Sequence, residues 1–141
     1  MLNVTVICVG SLKESYLRDA DAEYRKRLSA YCTLRIIELK DGAPILPHLP
    51  KRALNVALCI EGKEMSSEEL AAFIEKVPLS GHSEICFVIG GFAGLDEEVK
   101  RACSLRLSFS RMTFTHQLMR VILLEQIYRS FNIISGGKYH K

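Results

Sequence analysis

The spacing of apolar positions alternates along the chain between a period of two and a period close to four. Leu2–Val9 is apolar and β-branched and stops at Gly10-Ser11, which predicts a strand. Leu17, Ala20, Tyr24, Leu28 and Tyr31 then recur at helical spacing, predicting a helix from about Glu14 to Tyr31. Leu34–Leu39 reads as a second strand, and Asp41–Pro50, with its three prolines, as a loop. A third strand covers Asn55–Ile60 and ends at Glu61-Gly62-Lys63. Ser66 or Ser67 can cap a helix carrying Leu70, Phe73, Ile74 and Val77, closed by Pro78–Gly81. Glu84–Ile89 is a fourth strand and Gly90–Gly94 a glycine-rich turn. Asp96 caps a short helix with Glu97 and Glu98 in its first turn, where the helix dipole favours them. Leu105–Phe109 is a fifth strand, Thr115 caps a last helix over roughly His116–Phe131, and Gly136-Gly137 releases the chain.

This alternation predicts an α/β fold, a mainly parallel sheet with helices on both faces. Ligands of such sheets bind beyond the carboxyl ends of the strands, so the loops after Ile60, Ile89 and Phe109 matter most. The last helix is apolar on nearly every side, interrupted only by Arg120, Glu125 and Arg129. A helix apolar all round is buried all round, and a subunit interface is the natural cover for the face its own sheet leaves open. Glu125 and Arg129 stand in the favourable i,i+4 order.

Composition narrows the class. The 141 residues read as one domain, with enough apolar residues to bury a core. No run approaches the roughly 18 apolar residues of a membrane span. Met1–Cys8 lacks the basic start and cleavage site of a signal peptide, so a cytosolic location is expected. The five cysteines are an odd set without C-x-x-C spacing, and the four histidines are scattered; neither a disulfide framework nor a metal site is expected. A net charge of +3 permits an anionic partner without establishing one. Basic residues cluster at Arg25-Lys26-Arg27 and at Lys138–Lys141, and charge alone favours a solvated helix face and a loose tail there over a binding surface.

Three segments can carry chemistry. Ile89–Gly94 matches neither G-x-G-x-x-G nor a P-loop; it is either a ligand-approaching turn or a plain tight one. Ser108–Phe114 mixes aromatic, sulfur and hydroxyl groups that can line a pocket for a purine and a thioether, or simply form a partly buried loop. Around the last helix stand His116, Arg120, Glu125 and Arg129, followed by Tyr139-His140, and buried charges there need partners.

The same segments, Phe87–Leu95, Leu107–Leu118, Leu124–Arg129 and Tyr139–Lys141, with Val6–Lys13 and Glu61–Lys63, resemble the RlmH family of large-subunit rRNA pseudouridine-N3 methyltransferases, of the SPOUT class. The resemblance covers nearly the whole chain. It implies a SPOUT-type α/β fold with a deep trefoil knot near the C-terminus, and a homodimer. It implies S-adenosyl-L-methionine as cofactor, held by Leu58, Gly90, Phe109, Ser110, Arg111, Met112, Thr113 and Phe114, and no metal. The implied reaction is methyl transfer to N3 of a pseudouridine in helix 69 of 23S rRNA, with the ribosome as partner and no membrane.

For catalysis the resemblance points to His140, with Tyr139 and Arg129. Three departures stand out: Asp41–Ala53 is too short for the family's usual helix, Thr115 replaces a proline, and Gly137-Lys138 replaces an acidic residue and a proline, which predicts a looser tail. The alternative is a non-catalytic RNA-binding module. A nucleotide-binding oxidoreductase lacks its early glycine fingerprint here.

Overall fold

A computed structural model describes residues 1–140. Five strands, β1 (Leu2–Val9), β2 (Cys32–Leu39), β3 (Leu54–Glu64), β4 (Glu84–Val88) and β5 (Leu105–Ser108), form one sheet in the order β2-β1-β4-β3-β5. Every pairing is parallel. The helices are α1 (Ser15–Leu28), α2 (Ser67–Lys76), α3 (Glu97–Ala102) and α4 (His116–Ile134).

Because both faces are covered, the central strands are apolar on both sides, as parallel sheets require. Val4, Val6, Val56, Ile85, Phe87 and Leu107 point to the face carrying α1, α2 and α4. Ile7, Ala57, Cys86 and Val88 point to the opposite face, packed with Leu95, Val99 of α3 and the Ala43–Leu49 connection. That connection holds only a three-residue 3-10 turn, Leu46–His48, where the family resemblance expects a helix. The five cysteines are free thiols, and burial pushes the Cys86 thiol to about 12, so they serve as small apolar side chains.

The element boundaries differ from expectation in instructive places. The first helix stops at Leu28, because the Ser29–Tyr31 turn folds back onto Lys26 and Leu28 and frees Cys32 to start β2. β3 runs on to Glu64, because its backbone pairs a second time with β5. Ser66 supplies a full capping box with Glu69, and Thr115 accepts from the Leu118 amide, as expected. Asp96 sits at the N-cap of α3, yet its side chain makes no capping bond.

Helix α4 is covered in part by its own chain. Leu123, Leu124 and Ile127 are fully buried against the helix's own sheet, and α1 and α2 flank it. Leu118 stays exposed and Met119 and Ile122 only half-buried, so an apolar strip at the start of the helix is left without cover from the chain itself. Arg120 is buried too, and pairs with Asp21 of α1 at 3.0 Å and with Glu38 of β2, so the charge that interrupts the helix ties three elements together.

Candidate active site

The parallel order β1-β4-β3-β5 brings the carboxyl ends of four strands to one edge. Leu58 and Lys63 both align with Leu107 of β5, so Cys59–Gly62 make an excursion at the end of β3. Gly62 lies so close to β5 that a Cβ there would meet the Arg106 backbone at 2.7 Å. Ion pairs from Lys100 to Glu61 and from Arg106 to Glu97 brace this corner.

At the end of β4, a Cβ on Gly90 would come within 2.5 Å of the Gly94 carbonyl group, and Gly94 itself has φ +78°. The glycine requirement at Gly90 thus arises within the turn, which closes through the Gly94 amide on the Gly91 carbonyl at 2.9 Å. After β5, the Ser108 hydroxyl donates to the Ser110 carbonyl and the Met112 amide donates to the Ser110 hydroxyl, each at 3.0 Å. The structure so brings Leu58, Gly90 and Phe109–Phe114 to one edge of the sheet. Arg111, Met112, Thr113 and Phe114 are exposed; Leu58 and Phe109 are half-buried. Phe92 is 86% exposed and Met112 74%, and Tyr16, Ile60, Phe114 and Leu118 add to the apolar surface at this end.

Gly136 to His140 fold back onto α4 and are tied to it by hydrogen bonds, where Gly137-Lys138 led to the expectation of a looser tail. Gly136, at φ +75°, ends α4. Asn132 then accepts the Gly137 amide on its carbonyl at 2.8 Å and the Tyr139 amide on its side-chain oxygen at 2.9 Å. A Cβ at Gly137 would strike the Asn132 side chain at 2.5 Å, so the glycine that replaces the family's usual residue is what lets the tail lie there.

The Tyr139 hydroxyl donates to Glu125 at 2.8 Å and accepts from Tyr24 at 3.2 Å, and its ring packs edge-on to Tyr128. Burial and these bonds push the phenol above its ordinary range, so it stays protonated. Arg129 pairs with Glu125 at 2.6 Å, lies 4.7 Å from the Tyr139 ring centre, and donates to His140 Nδ1 at 3.0 Å. An arginine only donates, so Nδ1 carries no proton; Nε2 holds it and donates to Glu68 at 3.1 Å. The bond from His140 holds the Glu68 carboxyl below its usual range. All three expected catalytic residues therefore meet at one place. Lys141 lies outside the described residues.

Between α2, the end of β5 and α4 lies an open cleft of about 190 Å³, lined by Met65, Ser66, Ser67, Phe109, Ile122 and Gln126 among others. Only Phe109 among these was legible as a site residue. Glu68 and Gln126 were missed because each matters through a contact distant in sequence, and Asn132 because it anchors a fold-back of the next seven residues that no pattern marks; Gln126 alone had a signal, within Leu124–Arg129.

Against known proteins, the model of the family described as "Predicted SPOUT methyltransferase" matches residues 2–140. The chain belongs to the SPOUT methyltransferase family. Two relatives align with nearly the whole of the chain. Ribosomal RNA large subunit methyltransferase H of Clostridium novyi is 49% identical over 159 residues, covering 99% of this chain and all of that protein. The protein of the same name from Bacillus pumilus is 46% identical with the same coverage. The SPOUT fold is also seen in a probable methylase family protein of Haemophilus influenzae, with a TM-score of 0.64 at 9% identity, covering 98% of this chain and 70% of that one. Among the described residues, no helix is long and apolar enough to cross a membrane, and no cluster of three His, Cys, Asp or Glu side chains suits a metal.

Proposed function

We propose that this SPOUT family member is an S-adenosyl-L-methionine-dependent methyltransferase that acts on N3 of a pseudouridine in large-subunit ribosomal RNA, in the helix 69 stem-loop of the assembled ribosome. The observation that carries this reading is that Leu58, Gly90 and Phe109–Phe114 stand together at the carboxyl ends of the strands, while the Tyr139-His140 tail docks on Glu125 and Arg129 of α4 and Glu68 of α2. The relatives' names support the RNA class.

The residues suit the cofactor. Leu58, Phe109, Met112 and Phe114 offer apolar and thioether surface for a purine, and the turn around Gly90 brings backbone amides and carbonyls beside it. When bound, the cofactor would supply an electrophilic methyl group. The chain's own residues then handle the imino proton that N3 must lose. His140 is the base in this reading. Arg129 fixes its tautomer by donating to Nδ1, and Glu125 holds Arg129 and Tyr139 in place. A second copy of the chain covers the apolar loops at this end, giving a homodimer and closing the site from water. The knotted threading of the C-terminal third belongs to the same reading.

Ribosomes from a strain lacking this protein provide the test. Incubation with the purified chain and S-adenosyl-L-methionine, followed by mass mapping, should place one methyl group on the helix 69 pseudouridine. Calorimetry showing no cofactor heat would instead favour a non-catalytic RNA-binding module.

A further inference from the structure

We infer that the cleft between α2, β5 and α4 receives the target base, and that Gln126 reads it as pseudouridine rather than uridine. The inference rests on the proposed function, and it assigns a base-recognition role to a side chain outside the tail and the cofactor loops.

Size comes first. At about 190 Å³ the cleft falls short of the roughly 300–1,000 Å³ of sites that hold whole cofactors or drug-sized ligands, and suits a single ring. Position comes second. Phe109 joins the cleft to the loop that would hold the methyl donor. Ser67 and Gln126 stand one residue from Glu68 and Glu125, which hold His140 and Tyr139. A base seated here borders the donor loop through Phe109, and the two helices that line it, α2 and α4, are the ones that hold the tail. The Phe109 ring and the Met65 thioether supply faces for a flat ring.

Hydrogen-bond accounting comes third. Glu125 accepts from Gln126 Nε2 at 2.9 Å, which fixes the amide with its oxygen toward Ser67, whose hydroxyl donates to Oε1 at 2.7 Å. A primary amide has two N–H groups and two oxygen lone pairs. One of each is thus spent inside the protein and one of each remains. Pseudouridine, joined to its sugar through carbon, presents N1–H beside the C2 carbonyl, which is the complement of that pair. In uridine N1 carries the sugar, and the donor is gone. Pairing on the N1–C2 edge leaves N3, on the far side of C2, open to the methyl donor and to His140. The Ser66 hydroxyl takes no part, because it caps α2.

The test uses full-length protein and RNA stem-loops carrying pseudouridine, uridine or N1-methylpseudouridine at the target position. The wild type should methylate the pseudouridine RNA far better than the other two. Gln126→Leu should lower kcat/KM on it by about 10- to 100-fold, the scale of one lost bidentate base contact, and bring the three RNAs close to parity. S-adenosyl-L-methionine affinity should stay within about twofold, since no cofactor contact is removed. Ser67→Ala, at the exposed start of α2, should show the same pattern more weakly.

A parallel fall in cofactor affinity would make the cleft part of the cofactor site and overturn the inference, as would discrimination that survives both variants. A wild type that binds the cofactor yet methylates none of the RNAs overturns the proposed function. The cleft is then judged by binding alone, and equal affinity for pseudouridine and uridine RNA overturns this inference as well.

Discussion

The two ends of the sheet are built on opposite plans. At the amino end, connections are short and polar groups are mostly answered nearby, the buried Asn55 Oδ1, which has no partner among the described residues, being the exception. The Ser104 amide donates to the Asn55 carbonyl at 2.8 Å, the Asn3 amide to Ser83 at 3.0 Å, and the Asn55 side chain to the Pro50 carbonyl at 3.1 Å. Only Met1 and Leu79 expose large apolar surface there. At the carboxyl end, Tyr16, Ile60, Phe92, Met112, Phe114 and Leu118 all face solvent, and two backbone segments pass close enough to exclude a Cβ. An apolar surface that gives nothing to the chain's own core is held for something else. Stability and function are thereby separated along the strand direction.

Substitutions can break or sharpen that contrast. The largest effect belongs to neither end. Leu124→Glu or Ile127→Glu would bury an unpaired charge at several kcal/mol, against a total stability of about 5–15 kcal/mol, and should abolish the folded state by circular dichroism. A folded but merely monomeric variant would mean that these side chains face outward. Next, His140→Ala should lower methyl transfer by about 10²-fold or more while leaving cofactor affinity within a few-fold, measured by single-turnover kinetics and calorimetry.

Gly90→Ala should be milder. Its Cβ forces the Gly94 carbonyl aside, at about 1–3 kcal/mol, the usual range for overpacking. A melting temperature lowered by several degrees, with cofactor affinity falling alongside, would show that the turn must be built before it can bind. Unchanged melting would move the glycine's role back to the ligand. The smallest effects make the sharpest comparison. Phe92→Ser and Met112→Ser at the carboxyl end, and Leu79→Ser at the other, should each change monomer stability by no more than about 0.5 kcal/mol. In sedimentation the first two should weaken self-association and the third should not. Equal behaviour of all three would erase the distinction between the ends.

What could be read in advance follows the same divide. Strands such as Leu2–Val9 and Glu84–Val88 announce themselves because both faces are buried, and Ser66 and Thr115 announce helix starts through local chemistry. The second pairing of β3 was invisible, because Glu61–Glu64 is polar and pairs with β5 through its backbone. The apolar girth of α4 was legible; that α1 and α2 would cover part of it was not, since pattern gives the presence of a buried face but not the identity of its cover. The glycine turn, the loop after β5 and Tyr139-His140 stand out in the residue pattern, and the resemblance gives them their roles. Of their supports, Glu125 is legible through its i,i+4 order with Arg129, whereas Asn132 and Glu68 lie beyond any local rule.

The docked tail has a kinetic corollary. In the arrangement seen, His140 offers no vacant lone pair, since Nδ1 accepts a hydrogen bond from Arg129 and Nε2 donates one to Glu68. A base so engaged must first let go. If His140 takes the N3 proton, catalysis can run no faster than the tail exchanges partners, and amide hydrogen exchange at Tyr139 becomes a clock for the enzyme. Weakening the Asn132 anchor would speed that clock, and the same change would scatter the imidazole over more positions than the reaction can use.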